Sequence, residues 1–286
     1  MAESNYLPYH FVNYLRSPGL PTKAGTIPLA QYLCKTKSNG GNDSASSLIG
    51  KLRWMKDGGT GSQMNTLVGG IAVDLALKGQ GSGETFIAIW DFMCRNKEQL
   101  KKLNVEVCGR RERGASDKKV LLKTGNVYDL YFKGKSDKAA IQAMINDRFF
   151  GIDCIGFTGT FLMFTGEWTK YKGATPRQWA DWHCPKKINH AKDIKPLDFL
   201  IWTGGGHIAI VDWVWSMVDD KTVKIDVCQS SSGELVVGPQ CNEFVQLREG
   251  SIDGTGRRQY YIRHRGSPRM PVDGHVYVMR RNSFFW

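Results

Sequence analysis

Three polar side chains in the second half of the chain have the types and order that acyl transfer requires. The first is Cys154 in "FFGIDCIGFTGTF" (149–161), where a glycine and an acid precede the thiol and an apolar segment follows it. The thiolate is the attacking form of cysteine, and the unpaired N–H groups of a helix N-terminus favour that negative charge. Gly151 permits a tight entry and Asp153 has the type of an N-cap. Cys154 then falls in the first turn of a helix running through Phe157, Phe161 and Leu162. The competing reading of this cysteine is a buried structural thiol. The second group is His207 in "KPLDFLIWTGGGHIAIVDWVW" (195–215), a strand, a glycine turn and a second strand that opens on the imidazole. At the edge of a sheet such a histidine is placed to act as general base toward a thiol. The third is an acceptor behind the imidazole, which keeps the ring oriented. In "KTVKIDVCQSSSG" (221–233), folding the strand back on the His207 strand puts Gln229 or Ser230 opposite the histidine. Gln229 is the choice and Asp226 the charged alternative, nearer the middle of the strand. A slip of one residue would exchange the faces.

Those groups need a helix and a sheet to hold them. "SDKAAIQAMINDRFF" (136–150) has Ser136 as an N-cap and apolar residues at helical intervals, and it delivers the chain to Gly151. Beyond the cysteine segment, strands are expected at 198–202, 207–215, 222–229, 258–264 and 275–280. This order predicts an α+β domain over 131–286, a nucleophile-bearing helix packed on a meandering antiparallel sheet. Residues 1–130 form an N-terminal region without a legible role. It is partly helical, with a helix pair at 63–78 and 84–102 and short β-type runs after it.

Composition narrows the function classes. The chain of 286 residues carries a formal charge of +12 and seven cysteines. Its apolar content supports a real core, and the charge implies an anionic partner without saying which. The arginines of "GRRQYYIRHRGSPRM" (256–270) read as the solvated face of a strand, with a dedicated anion site as the alternative. An odd cysteine count without a CxxC pair indicates reduced core thiols and no disulfide framework. His183, Cys184 and His190 are zinc-ligand types, but Pro185 and the lack of a fourth ligand at useful spacing argue for a loop, so no metal or other cofactor is expected. Trp168, Tyr171, Trp179 and Trp182 either wall a cleft or fill the core. Glu167 and Asp181 enter as catalytic carboxylates only if the cysteine reading fails. The opening residues lack the pattern of a cleavable signal peptide, and no apolar run is long enough to span a membrane. The expectation is a soluble protein, cytoplasmic in its producer and exported by a specialised route.

The quoted segments resemble one enzyme family. "GIDCIGF" is similar to the G-x-D-C-S-G-F segment of the NlpC/P60 peptidases, and "PLDFLIWTGGGHIAIV" to the strand segment that carries their histidine. The resemblance covers roughly residues 140–235. It implies a papain-like fold, Cys154 as nucleophile, His207 as base and Gln229 as the third polar residue. It also implies hydrolysis of amide bonds in peptidoglycan stem peptides. Ile155 in place of serine and the three glycines before His207 depart from the pattern, so substrate preference does not carry over. An antibacterial effector, with residues 1–130 serving delivery or recognition by an immunity protein, fits the missing signal. The alternatives are a protease, deamidase or acyltransferase acting on proteins, and a non-catalytic basic module binding cell wall or nucleic acid. Nucleic acid is the less favoured partner.

Overall fold

The computed structural model describes residues 7–31, 75–76, 79–104, 106–107, 125–169, 172, 175–231, 238–264 and 274–282. The chain divides into two compact units, one made of residues 1–13 with 154–286 and the other of residues 14–153. Most of the expected helix at 63–78, and much of the stretch of short β-type runs expected after the helix pair, lie outside the described residues.

The first unit is built on strands β5 (Lys186–Lys187), β6 (Phe199–Trp202), β7 (Ile208–Asp219), β8 (Thr222–Ser231), β9 (Gly238–Ile252), β10 (Arg258–His264) and β11 (Gly274–Arg280). From β6 to β11 each strand pairs antiparallel with the next, and β11 also pairs with β6. The six strands therefore close on themselves as a barrel, and β5 continues beside β10 on the other edge of β11. This closed antiparallel barrel overturns the expected papain-like, helix-on-open-sheet α+β fold. Closure leaves no free edge in the ring. Bulges in the β7–β8, β8–β9 and β9–β10 ladders add the local twist and bending that closure requires.

Alternation decides what fills the ring. Leu200, Ala209, Val211, Val223, Ile225, Val227, Val245, Leu247, Tyr260, Ile262, Val276 and Val278 come from all six strands, mostly at every second position, and form one buried apolar cluster. Tyr260 is buried there with its hydroxyl donating to Ile188 O at 2.9 Å, so the polar end of the ring is satisfied. Ile208 and Ile210 alternate to the other face and are also buried. Helix α5, Cys154–Phe164, packs against β7 and β8. Its residues Cys154 to Leu162 are all buried, so this stretch has no solvent face and no amphipathic stripe, and Phe164 at the helix end is exposed. Phe11 lies against Phe157, Phe161 and Phe164, with ring centroids 5.1–5.7 Å apart.

β9 has no counterpart among the expected strands. Gly238, Pro239, Asn242, Glu243 and Gly250 are poor strand formers, and they mask a 15-residue strand that is held by partners on both sides.

The second unit holds the hairpin β1 (Leu20–Thr22) and β2 (Gly25–Ile27), the short pair β3 (Glu106–Val107) and β4 (Gly125–Asn126), and helices α2 (Gly83–Arg95), α3 (Lys97–Lys102) and α4 (Asp137–Asn146). Helix α1, Pro8–Arg16, contributes its last residues here. Ser82 and Ser136 cap α2 and α4, accepting from Thr85 N at 3.2 Å and Ala139 N at 3.3 Å. The expected helix at 84–102 breaks at Asn96, which ends α2 and begins α3. At Gly19 the backbone has φ +89°, and a Cβ would lie 2.4 Å from the carbonyl of Ile27, so only glycine fits. Among the described residues no helix is long and apolar enough to cross a membrane.

Candidate active site

Cys154 is the first residue of α5 and is 3% exposed. Thr158 Oγ1 donates within the first turn to Cys154 O at 3.2 Å and Ile155 O at 3.0 Å. The helix lies on β7 and β8, so the thiol's element is braced by the strand that follows His207 and the strand that carries Gln229. Asp153 belongs to the second unit, where its N–H donates to Gly79 O at 2.7 Å and its carboxylate accepts from Gln80 Nε2 at 3.1 Å.

His207 immediately precedes β7. Its carbonyl accepts from Trp202 N at 3.1 Å, which closes the turn between β6 and β7, and Gly205 within that turn has φ +68°. The imidazole meets the Trp202 ring edge-on, with centroids 4.7 Å apart. Its Nε2 lies 2.5 Å from Gln229 Oε1. An amide oxygen only accepts, so Nε2 donates in this bond, and in the neutral form of the ring the lone pair then lies on Nδ1. Gln229 is 1% exposed, so solvent does not compete for the bond.

The two acceptor candidates separate cleanly. The β7–β8 ladder has Ile210 opposite Cys228, which brings Gln229 next to the start of β7. Asp226 lies opposite Trp213, farther along the strand, and its Oδ1 accepts from Phe244 N at 2.9 Å. The histidine and glutamine are thus joined directly, and Asp226 secures an irregular stretch of β9.

Cys228 and Cys241 are joined by a disulfide across β8 and β9, directly beside the Gln229–Gln240 pair. The expectation of reduced core thiols is therefore corrected at this pair. Cross-strand partners with a Cα–Cα distance of 4.1 Å lie within bridging reach, a proximity that depends on the unrecognised strand β9. Among the described residues Cys94, Cys154 and Cys184 are not in disulfides. Burial pushes the Cys94 thiol up to about 12, with Asp137 and Asp91 adding to the effect. Burial also raises the Cys184 thiol strongly, which makes both poor thiolates at neutral pH.

The remaining candidates have structural partners. The His183 ring lies 5.1 Å from both Trp168 and Trp179, and burial holds its pKa below the usual histidine value, helped by Arg281 and Lys172. His190 Nδ1 stands 4.0 Å from Glu249 Oε1. Among the described residues no group of three or more His, Cys, Asp or Glu side chains has the arrangement of a metal site. Glu167 faces Arg281 at 3.6 Å and Asp181 bonds Arg257 at 2.5 Å. Trp168 and Trp179 are buried against each other, Trp182 is exposed, and Tyr171 lies outside the described residues. Of the C-terminal arginines, Arg258 bonds the carbonyls of Asn189 and Gly250, while Arg265 and Arg269 are outside the described residues. Trp202 was not among the sequence candidates. Its signal was its place at the strand end, separated from the histidine by Thr203 and three glycines.

Fold and site define an antiparallel β-barrel unit with a buried cysteine at a helix start and a histidine–glutamine pair at a strand end. The chain matches no family model, no curated protein and no solved structure.

Proposed function

We propose that the protein is a cysteine hydrolase that cleaves amide bonds in peptidoglycan stem peptides, with Cys154 as nucleophile, His207 as base and Gln229 as the positioning residue. The observation that carries this reading is the His207 Nε2–Gln229 Oε1 bond of 2.5 Å, on a strand braced by the helix that begins at Cys154. Gln229 satisfies the ring N–H and fixes one tautomer. A general base needs that fixed tautomer.

In this mechanism His207 Nδ1 takes the thiol proton and the thiolate attacks the amide carbon. Backbone N–H groups at the start of α5 receive the oxyanion. Collapse breaks the C–N bond, the amine leaves with the proton from His207, and a thioester remains. Water then attacks the thioester, giving its proton back through His207, and the carboxylic acid departs with the thiol restored. The substrate class is supported by the likeness of "GIDCIGF" and the histidine segment to the NlpC/P60 peptidases, and by a charge of +12 that suits a carboxylate-bearing polymer. Export against competing bacteria is the biological setting that this chemistry suggests.

The test is incubation of wild type and Cys154→Ala with isolated sacculi, with released fragments read by mass spectrometry. Stem-peptide fragments from the wild type, and a loss of at least about 10³-fold in the variant, are expected. Intact sacculi with both proteins sink the cell-wall reading, and equal cleavage by both sinks Cys154 as nucleophile.

A further inference from the structure

A cavity of about 230 Å³ opens at the glycine turn that leads to His207, lined by residues that include Trp202, Gly204, Arg177, Arg257, Asp253 and Tyr277. At roughly 30 Å³ of liquid volume per water, it has room for about seven waters or the end group of a peptide. Trp202 is common to the cavity and the site, because its ring also meets the His207 ring edge-on.

The walls offer more donors than acceptors. Arg257 keeps 16% of its side chain exposed and bonds Asp181 through Nη2, while its buried Nε has no partner among the described residues. Trp202 Nε1 is likewise buried without a partner among them. Arg177 is exposed at the rim, close enough to the glycine turn that a Cβ on Gly205 would meet its Cβ at 3.7 Å. No acid pairs with Arg177 among the described residues. The carboxylate that lines the cavity, Asp253, is already occupied. Its Oδ1 accepts from Thr255 N, Thr255 Oγ1 and Arg257 N at 2.6–3.1 Å, and its Oδ2 accepts from Tyr277 OH at 2.7 Å. Hydrogen bonds from Thr255 and Tyr277 hold Asp253 well below the usual carboxylate range, so it stays charged and satisfied. Asp181 offsets Arg257, which leaves the Arg177 charge without a compensating acid among the described residues. A guanidinium with free N–H groups, at the edge of a partly enclosed space, is suited to a carboxylate.

We infer that this cavity is a subsite for a carboxylate of the peptide substrate, held by Arg177 and Arg257 across Trp202 from His207. The inference rests on the hydrolase reading for its biological meaning, but the binding itself does not require the chemistry. A substrate carboxylate seated there would place the neighbouring amide near the base, so the subsite would select peptides with an acidic group close to the cleaved bond.

The test uses the full chain carrying Cys154→Ala, which cannot turn over. N-acetylglycine and N-acetylglycinamide are titrated separately, and the Trp202 indole N–H signal, assigned through Trp202→Phe, is followed by NMR. Binding of the acid at least about tenfold tighter than the amide is expected, weakened by added salt. Arg177→Gln, an exposed substitution that spares the Arg257–Asp181 pair, is expected to remove most of that preference. Equal binding of the two probes, no binding of either, or a preference indifferent to Arg177→Gln overturns the subsite. If the acid binds selectively while the wild type leaves sacculi intact, the hydrolase reading fails and the subsite stands.

Discussion

At the scale of single residues, the 2.5 Å bond between His207 and Gln229 has the sharpest consequences. The amide holds Nε2–H and carries no charge, so it orients the ring without greatly favouring imidazolium. Gln229→Ala is expected to lower kcat about 10- to 100-fold with KM little changed, since the substrate does not touch Gln229. Gln229→Glu is expected to restore much of the rate and move the pH–rate profile to higher pH. A carboxylate beside the ring raises the imidazolium pKa, and its negative charge also raises the thiol. A merely structural glutamine would change stability and leave the position of the profile alone. Cys154, His207 and Gln229 were all legible as chemical types in the sequence. The choice of Gln229 over Asp226 was a matter of register: the β7–β8 ladder brings Gln229 next to the start of β7, while Asp226 lies farther along and accepts from Phe244 N on β9.

At the scale of elements, β8 carries both the acceptor and a covalent tie to its neighbour. The Cys228–Cys241 bridge encloses a short loop, with a sequence separation of 13, so chain entropy assigns it about 3 kcal/mol. The double variant Cys228→Ala with Cys241→Ala is expected to lose stability of that order in urea unfolding. A midpoint unchanged from wild type would mean that the strand pairing alone holds β8 and β9 together. Helix α5 was legible from the cysteine segment because its apolar content and small residues permit full burial. β9 was not, because its Gly, Pro and Asn residues argue locally against a strand and only pairing on both edges overrules them.

At the scale of the whole molecule, each unit is held by its own long-range contacts, and in the barrel the decisive ones join the last strand to the first. Arg280 on β11 bonds both carboxylate oxygens of Asp198, just before β6, at 2.6 and 2.8 Å, and also reaches Asp193 O at 2.7 Å. Asp198 is fully buried. Arg280→Met would strand that carboxylate, and a loss of about 3–5 kcal/mol is expected in equilibrium unfolding. Adding Asp198→Asn to the same protein should return a large part of the loss, because the penalty lies in the unpaired charge. Equal instability of the single and double variants would show that Arg280 acts through packing alone.

The amino-acid sequence by itself determined the local terms: a thiol at the head of an apolar helix, a histidine after a glycine turn, and strands with an alternating buried face. Each follows from the preferences of a few neighbouring residues and needs no distant partner. Tertiary structure alone decided the closure of the sheet, the recruitment of β9, the Cys228–Cys241 bridge and the cavity beside Trp202. An open sheet and a closed barrel share the same alternation along every strand, and they differ in whether β10 and β11, and β11 and β6, find each other. That pairing is a contact between segments far apart in the chain, set by accumulated twist, bulges and a common core, and no short stretch of residues encodes it.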